Sequence, residues 1–543
     1  MTDISSVVSD KPAAENSATP DSKQKLSDSF TKDAKENLEI LRSMNPLPKN
    51  TSDDKMLDEV EHAHFNYFVH QSDPDTGLTK DRSTPDSAAS IAAVGFSLTA
   101  YPIGAERGWV SRDQAADYTL KVLNTLWNAP QGDAAQGEAS THGFFYHFLD
   151  PKKATRMWNS EVSTIDTSLL MSGVLFSKDY FNGNSPKEAE IRDLADKLYK
   201  RVDWPWMLNK DNRVSMGWTP EAGYISSDWQ GYNEAMIMQL QALGSPTHPL
   251  NPDVWTKYHS TDTIRDYGGQ KYIDFPPQFA HQYSESWVDF RGINDAKNKS
   301  LGFDYFENSR RATLAQNFYG DKNPPGFRGY SKLDWGWTAS DGPGANVPPP
   351  ADVAAPGGSD APAFGPHLAE PEPEPQSAYE LRTGGRHDQP DAQSGSTFVP
   401  AFSGGGFDAR VAKTPTFLSY SARGAPDYID DGTIAPTAAA ASLPFAPELV
   451  LPTLRHWRED RPEIWSEDGF KDAFNPTADP SKPSGWIDTD TIGIDQGPIV
   501  LMTENYRSGL VWNTIKRDPY LTEGLRKAGF TGGWLDQQKA SGK

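Results

Sequence analysis

Five stretches of this chain are small or apolar at almost every position, yet each opens with an acidic or polar residue. They are PDSAASIAAVGFSL from Pro85, TIDTSLLMSGVLFS from Thr164, YNEAMIMQLQALG from Tyr232, DDGTIAPTAAAASLPF from Asp430 and IGIDQGPIVLMTENY from Ile492. A helix that is apolar all round has no face to give to water, so each stretch predicts a helix buried on every side. Between them run charged segments with a single apolar stripe, such as SRDQAADYTLKVLNTLW from Ser111 and PKEAEIRDLADKLYKRV from Pro186. These predict helices that cover an inner layer and face solvent. The alternation suits a closed ring of helical hairpins with short sheets at a rim, although a helical solenoid would alternate in the same way.

The ordered body is expected to begin near Asp53. There DDKMLDEVEHAHFNYFVHQ sets Met56, Val60, His64, Tyr67 and Phe68 at helical spacing behind a Ser-Asp cap. One catalytic domain is expected over 51–535, after a disordered polar lead at 1–50 and before a flexible tail at 536–543. Residues 344–410 include VPPPADVAAPGGSDAPAFGP and an EPEPEP run, a Pro, Gly and acid content that predicts a long surface insertion without packed elements. The first residues lack both a basic region and an apolar region of signal-peptide length, so a cytoplasmic location is the default expectation. A trimmed or misassigned start would instead make it periplasmic or secreted. No run is long and apolar enough for a membrane span, so no membrane partner is expected.

The formal net charge of −22 argues against a nucleic-acid partner, which needs clustered Lys and Arg, and favours a neutral substrate. With 16 Trp, 20 Tyr and 25 Phe, much of the apolar area is aromatic, and flat rings suit sugar faces as well as cores. Zero cysteines remove disulfides, thiolate nucleophiles and Cys-ligated metals. No GxSxG, GxxxxGK[ST], strand-opening GxGxxG or HExxH pattern occurs, so neither a cofactor nor a metal is expected.

If the inner helices start at one end of the ring, Asp86, Asp166, Glu234, Asp431 and Asp495 converge where helix N-termini carry positive potential. Singly, each reads as a cap or first-turn acid; five of them at buried helices point to a shared acidic cleft. Hydrolysis of a glycosidic bond needs such carboxyls, one to protonate the leaving oxygen and one to activate water or attack carbon. Glu234, flanked by Trp229 and Tyr232 in DWQGYNEAM, has an aromatic setting that favours the protonated form and makes it the first candidate for the acid. Those two rings are themselves candidate substrate contacts. Asp341, Glu285, Glu161 and Asp430 could bind a hydroxyl or position water. His147 in GFFYHFLD is either a sugar hydrogen-bonder or a satisfied core histidine.

Taken in order, GLTKDRS from Gly77, STIDTSLL from Ser163, YNEAM from Tyr232, WGWTASDGP from Trp335, DDGTIAPTAAAASLPFAPE from Asp430 and GIDQGPIVLMTENYRSGLVW from Gly493 resemble the glucoamylase-like family. That family includes glycoside hydrolase family 144, the bacterial endo-β-1,2-glucanases, and the hydrolase-like part of cyclic β-1,2-glucan synthases. The resemblance implies a mainly all-α, (α/α)6 barrel with long loops on the active-site face, and endo-cleavage of β-1,2-linked glucan with inversion. By motif, Glu234 matches the general acid, and Asp166 and Asp495 match acids required for activity. Arg82, His147 and Tyr420 match contacts to sugar hydroxyls. The base stays open, because relays through a water or a substrate hydroxyl occur in related barrels. Exo-action, transglycosylation and glucan binding without turnover are the alternatives.

Overall fold

The computed structural model describes residues 46–344 and 417–540. The expected lead at 1–50 and insertion at 344–410 therefore lie outside the described residues, except for 46–50 and Gly344. Leu47, expected in the lead, is buried, and its N–H donates to the Arg458 carbonyl at 2.9 Å.

The described chain is mainly helical. Its first half carries α1 (Asp53–His70), α2 (Ile91–Arg107), α3 (Arg112–Asn128), α4 (Thr164–Tyr180), α5 (Pro186–Arg201), α6 (Met236–Gly244), α7 (Asp253–Tyr258) and α8 (Tyr283–Trp287). Its second half carries α9 (Ala296–Leu301), α10 (Tyr305–Lys322), α11 (Pro436–Ala440), α12 (Pro447–Asp460), α13 (Gly493–Arg507), α14 (Leu510–Ile515), α15 (Pro519–Lys527) and α16 (Gly533–Ala540). Serine caps set several starts: Ser52, Ser90, Ser163 and Ser185 each accept a first-turn N–H, and Ser111 forms a full capping box with Gln114.

The inner ring runs α2–α4–α6–α8–α13 and back to α2, with α11 packed on α13. Gln282, just ahead of α8, ties that helix to α11 by donating to the Ala438 carbonyl at 2.8 Å and to Ser442 Oγ at 2.9 Å. Six inner helices thus form an α/α barrel. In α4 every residue from Thr164 to Ser177 is buried, as its lack of a polar face requires. Outside, α1 packs on α2 and α13, α3 on α2 and α5, α5 on α4, and α12 on α11. The outer cover of α6 comes from α15, far along the chain. Inner and outer helices therefore do not alternate strictly in sequence. Residues 536–540, expected in a flexible tail, belong to α16, where Trp534 donates to the Asp289 carbonyl at 2.8 Å. Among the described residues no helix is long and apolar enough to cross a membrane.

Two glycines let α2 and α4 touch backbone to backbone. A Cβ at Gly173 would overlap the Gly95 carbonyl oxygen, and one at Gly95 would overlap that of Leu169. Both partners are main chain and cannot swing aside. Gly173→Ala is expected to cost about 1–3 kcal/mol. The measurement is a lower denaturant midpoint with an unchanged slope, and an unchanged midpoint would contradict the close approach.

Short ladders hold the loops at the N-terminal ends of the inner helices. Ala89–Ser90, just before α2, pairs with Phe148–Leu149, and Val162–Ser163, just before α4, pairs with Gly217–Trp218. Arg82 bridges to Ile492, just before α13, and Ile434 bridges to Phe474 before α11. This rim positions the acids.

Candidate active site

Asp166 and Asp495 are first-turn residues of α4 and α13, and Glu234 lies two residues before α6. The same end of the ring therefore presents all three.

The turn before α6 is built to hold Glu234. Gly231 takes a left-handed φ of 74° and Asn233 Oδ1 accepts the Ala235 N–H at 3.0 Å. The Tyr258 hydroxyl accepts the Asn233 N–H at 3.0 Å. Ser284 of α8 accepts the Ile237 N–H at 3.0 Å and donates to the Glu234 carbonyl at 3.1 Å, so a neighbouring helix caps α6. The Glu234 side chain is only 5% exposed, and its Oε2 is buried without a hydrogen-bond partner. Burial, reinforced by the nearby Asp166 charge, raises its carboxyl from 4.5 to about 8. At neutral pH it is a protonated acid with a hydrogen to give.

Beside it, His147 joins two carboxylates, with Nδ1 2.9 Å from Glu161 Oε1 and Nε2 3.6 Å from Asp166 Oδ1. Burial opposes charge on the imidazole, but Asp166 and Glu161 outweigh it and lift His147 to about 9. That cation pulls Glu161 below its ordinary range against the effect of burial. Asp166 stays raised because burial exceeds the help from His147 and Ser163.

A second acidic group surrounds Arg82. Its Nη1 lies 2.8 Å from Asp341 and 3.5 Å from Asp490, and its Nε 3.2 Å from Asp81. The Asp341 N–H donates to Asp472 Oδ2 at 2.6 Å. Asp472 also hydrogen-bonds the carboxyl of Asp495. Burial first, then the charges of Asp495 and Asp341, push Asp472 well above the carboxylate range. Burial and the charges of Asp81 and Asp341 raise Asp495 to about 7, against the Asp472 hydrogen bond that favours its ionised form. The pair shares a proton, with Asp472 as its holder and Asp495 as the acceptor. Asp488 is raised to about 8, by burial and then by Asp472 and Asp341.

Two tyrosines link the groups. Tyr420 lies in the field of Asp495, Asp472, Asp81 and Asp341, and burial above all keeps its phenol protonated. Tyr283 donates to the Ile494 carbonyl at 3.3 Å and feels Asp495 and Tyr420 as well as Glu234 and Asp166. Tyr283 thus lies within electrostatic reach of Glu234 and Asp166 on one side and of Asp495 on the other.

Not every expected residue is there. Asp86 is exposed in the loop ahead of α2, whose cap is Ser90, and so it opens no helix. Asp431 precedes α11 by several residues and is consumed by a buried ion pair, its two oxygens each 2.8 Å from Arg423. Arg423 also donates to the Ser340 and Asp341 carbonyls, so the pair supports the Asp341 loop from behind. Trp229 is buried and donates to Thr164 Oγ1 at 2.9 Å, and Tyr232 is buried with its hydroxyl 3.1 Å from His281 Nδ1. These are buried rings that brace the site. Asp430 is held by the Tyr319 and Tyr330 hydroxyls, and Glu285 lies with Asp289, Asp304 and Arg291. Neither joins the two groups. Asp472, Asp488, Asp490, Asp81 and Tyr283 were missed. The available signal was WIDTDTIGID, where Asp488 and Asp490 directly precede the Asp495 motif.

Among the described residues, His147, Glu161 and Asp166, and separately Asp341, Asp472 and Asp488, bring donor atoms within 4.8 Å of one another. Both triads already use donors internally, through the His147 proton and through Arg82 and the Asp341 N–H.

Comparison with known proteins places this arrangement. Residues 226–368 and 388–519, about half of the chain, match the Glycoamylase family model, described as "Putative glucoamylase". The chain belongs to this family. It is 25% identical over 512 residues to the exo β-1,2-glucooligosaccharide sophorohydrolase (non-reducing end) of Parabacteroides distasonis. That alignment takes in 88% of this chain and spans 58% of the length of that curated relative. A crystal structure named as a putative glucoamylase, from Bacteroides uniformis, matches with a TM-score of 0.70 and 27% identity over 90% of this chain and 100% of that one. The endo-β-1,2-glucanase of Chitinophaga pinensis, in complex with sophorotriose and glucose, matches at 0.68 and 25% over 89% and 99%. Glu234, Asp495 and Tyr420 fall inside the matched blocks, whereas Arg82, His147 and Asp166 precede them.

Proposed function

We propose that this chain is a glycoside hydrolase that cleaves β-1,2-linked glucan, endo-acting and with inversion. The carrying observation is the buried carboxyl of Glu234, raised to about 8 and with its Oε2 without a partner, which acts on Tyr283 together with Asp495 of the coupled Asp472–Asp495 pair. Glu234 protonates the departing glycosidic oxygen. Asp495 accepts a proton from the attacking water on the opposite face of the sugar, and Asp472 stabilises its ionised form by hydrogen bonding. With Asp495 raised to about 7 and Glu234 to about 8, the productive combination of neutral acid and ionised base is populated between those values. After the cut, Asp495 holds the water proton and Glu234 is ionised, and exchange with solvent restores both.

Asp166, His147, Arg82, Asp341 and Tyr420 offer donors and acceptors to sugar hydroxyls around that axis. The names of the Parabacteroides and Chitinophaga relatives support the β-1,2 linkage. The former relative is named as an exo-acting sophorohydrolase of the non-reducing end, which supports exo-action as the second reading. Product analysis on linear β-1,2-glucan separates them. Endo-action yields mixed sophoro-oligosaccharides and a fast fall in viscosity, whereas sophorose alone from the start favours the exo reading. Release of the α-anomer marks inversion, and no product at all would reject the hydrolase.

A further inference from the structure

A row of aromatic rings leads outward from Asp166 and ends in water. His147, whose Nε2 is 3.6 Å from Asp166, stacks on Phe148 at 3.9 Å between centroids and 13° between planes. Phe148 meets Trp158 edge to face at 5.4 Å and 66°. Trp158 is 55% exposed, while the other described tryptophans are buried or half-buried.

Its backbone makes that exposure more unusual. Trp158 has a left-handed φ of 54°, a conformation that a bulky side chain adopts rarely and at a cost. The surrounding loop enforces it. Arg156 donates to the Ser160 carbonyl at 2.7 Å and the Ala135 carbonyl at 3.0 Å, and pairs with Glu221 at 2.6 Å. The Met157 N–H donates to the Phe148 carbonyl at 2.9 Å, and Ser160 Oγ donates to the Met157 carbonyl at 2.9 Å. A strained backbone that holds a large apolar ring more than half in solvent gives the fold little beyond the edge contact with Phe148, and strain of this kind concentrates at ligand clamps.

We propose that Trp158 is the stacking platform of an outer glucose subsite on the Asp166 side of the cleft. The inference rests on the β-1,2-glucan reading and extends it to how the chain is held away from the cut bond. A pyranose presents an apolar C–H face, and an indole face desolvates it without needing charge. The acids and Arg82 near the cut bond bind hydroxyls, so the apolar face is left for a ring such as this one.

The test uses Glu234→Gln as the parent, so that glucan binds without turnover, and calorimetric titration with long β-1,2-glucan chains. Trp158→Gly in that background is expected to weaken binding about tenfold, and Trp158→Phe to recover most of it. Because glycine relaxes a positive φ, the melting temperature of Trp158→Gly is expected to equal or exceed that of the parent. Unchanged affinity in Trp158→Gly would overturn the proposal. A clear drop in melting temperature would also overturn it, by making Trp158 a structural residue. If wild-type protein turns over no β-1,2-glucan and the parent binds none, the functional reading itself falls.

Discussion

Glu234→Gln is expected to lower turnover on β-1,2-glucan by at least about a hundredfold, within the usual range for loss of a general acid. The amide keeps the shape of the carboxyl and removes the proton that the leaving oxygen needs. The fold should not suffer, because the wild-type Oε2 is already buried without a partner. Stability should even favour the variant at high pH, and the sign follows from linkage. Glu234 has its carboxyl raised from 4.5 to about 8, chiefly by burial, so the folded state keeps a proton that the unfolded chain gives up between those values. This contribution to wild-type stability is fully present below 4.5 and is lost as pH rises to about 8. Denaturation midpoints of wild type and Glu234→Gln should therefore diverge with rising pH, the variant becoming relatively more stable. The same ionisation should end wild-type activity on the alkaline side near 8. A Glu234→Gln enzyme with near-normal turnover would remove Glu234 from the acid role.

The second large effect concerns the base. Asp495→Asn is expected to lower turnover by about a thousandfold, since an amide takes no proton from water. The acidic limb of the wild-type profile should lie near 7, the value to which burial and its acidic neighbours raise Asp495. Asp472 provides a sharper check because it acts through Asp495. Its hydrogen bond favours the Asp495 carboxylate, so Asp472→Ala should shift the acidic limb upward and narrow the active range. Asp472→Asn keeps an N–H donor and should leave that limb nearer its wild-type position. Measured pH–rate profiles for the two variants decide it. Identical limbs in both would mean that Asp472 only packs against its neighbour.

How much of this was written in the chain itself depends on the range of each interaction. The buried helices α2, α4 and α13 were legible because all-round apolarity is a local property, whereas the cap of α2 is Ser90 and not the expected Asp86. The placement of Asp166 and Asp495 in first turns follows from the same patterns. Helix α8 was not legible, since Ser284, Glu285 and Ser286 give it a polar composition although all are buried. Ser284 is accommodated by partners that only the packed ring supplies, the Glu234 carbonyl and the Ile237 N–H. Equally, nothing local distinguishes Asp431 from Asp495, because each is an acid ahead of or within an apolar stretch. Arg423 neutralises the first, and Asp472 shares a proton with the second. Hydrophobic period and caps act over a few residues and so are set by sequence alone. Which carboxyls meet a cation, a proton or an empty space depends on which helices become neighbours, and in this protein that decides which acids can do chemistry.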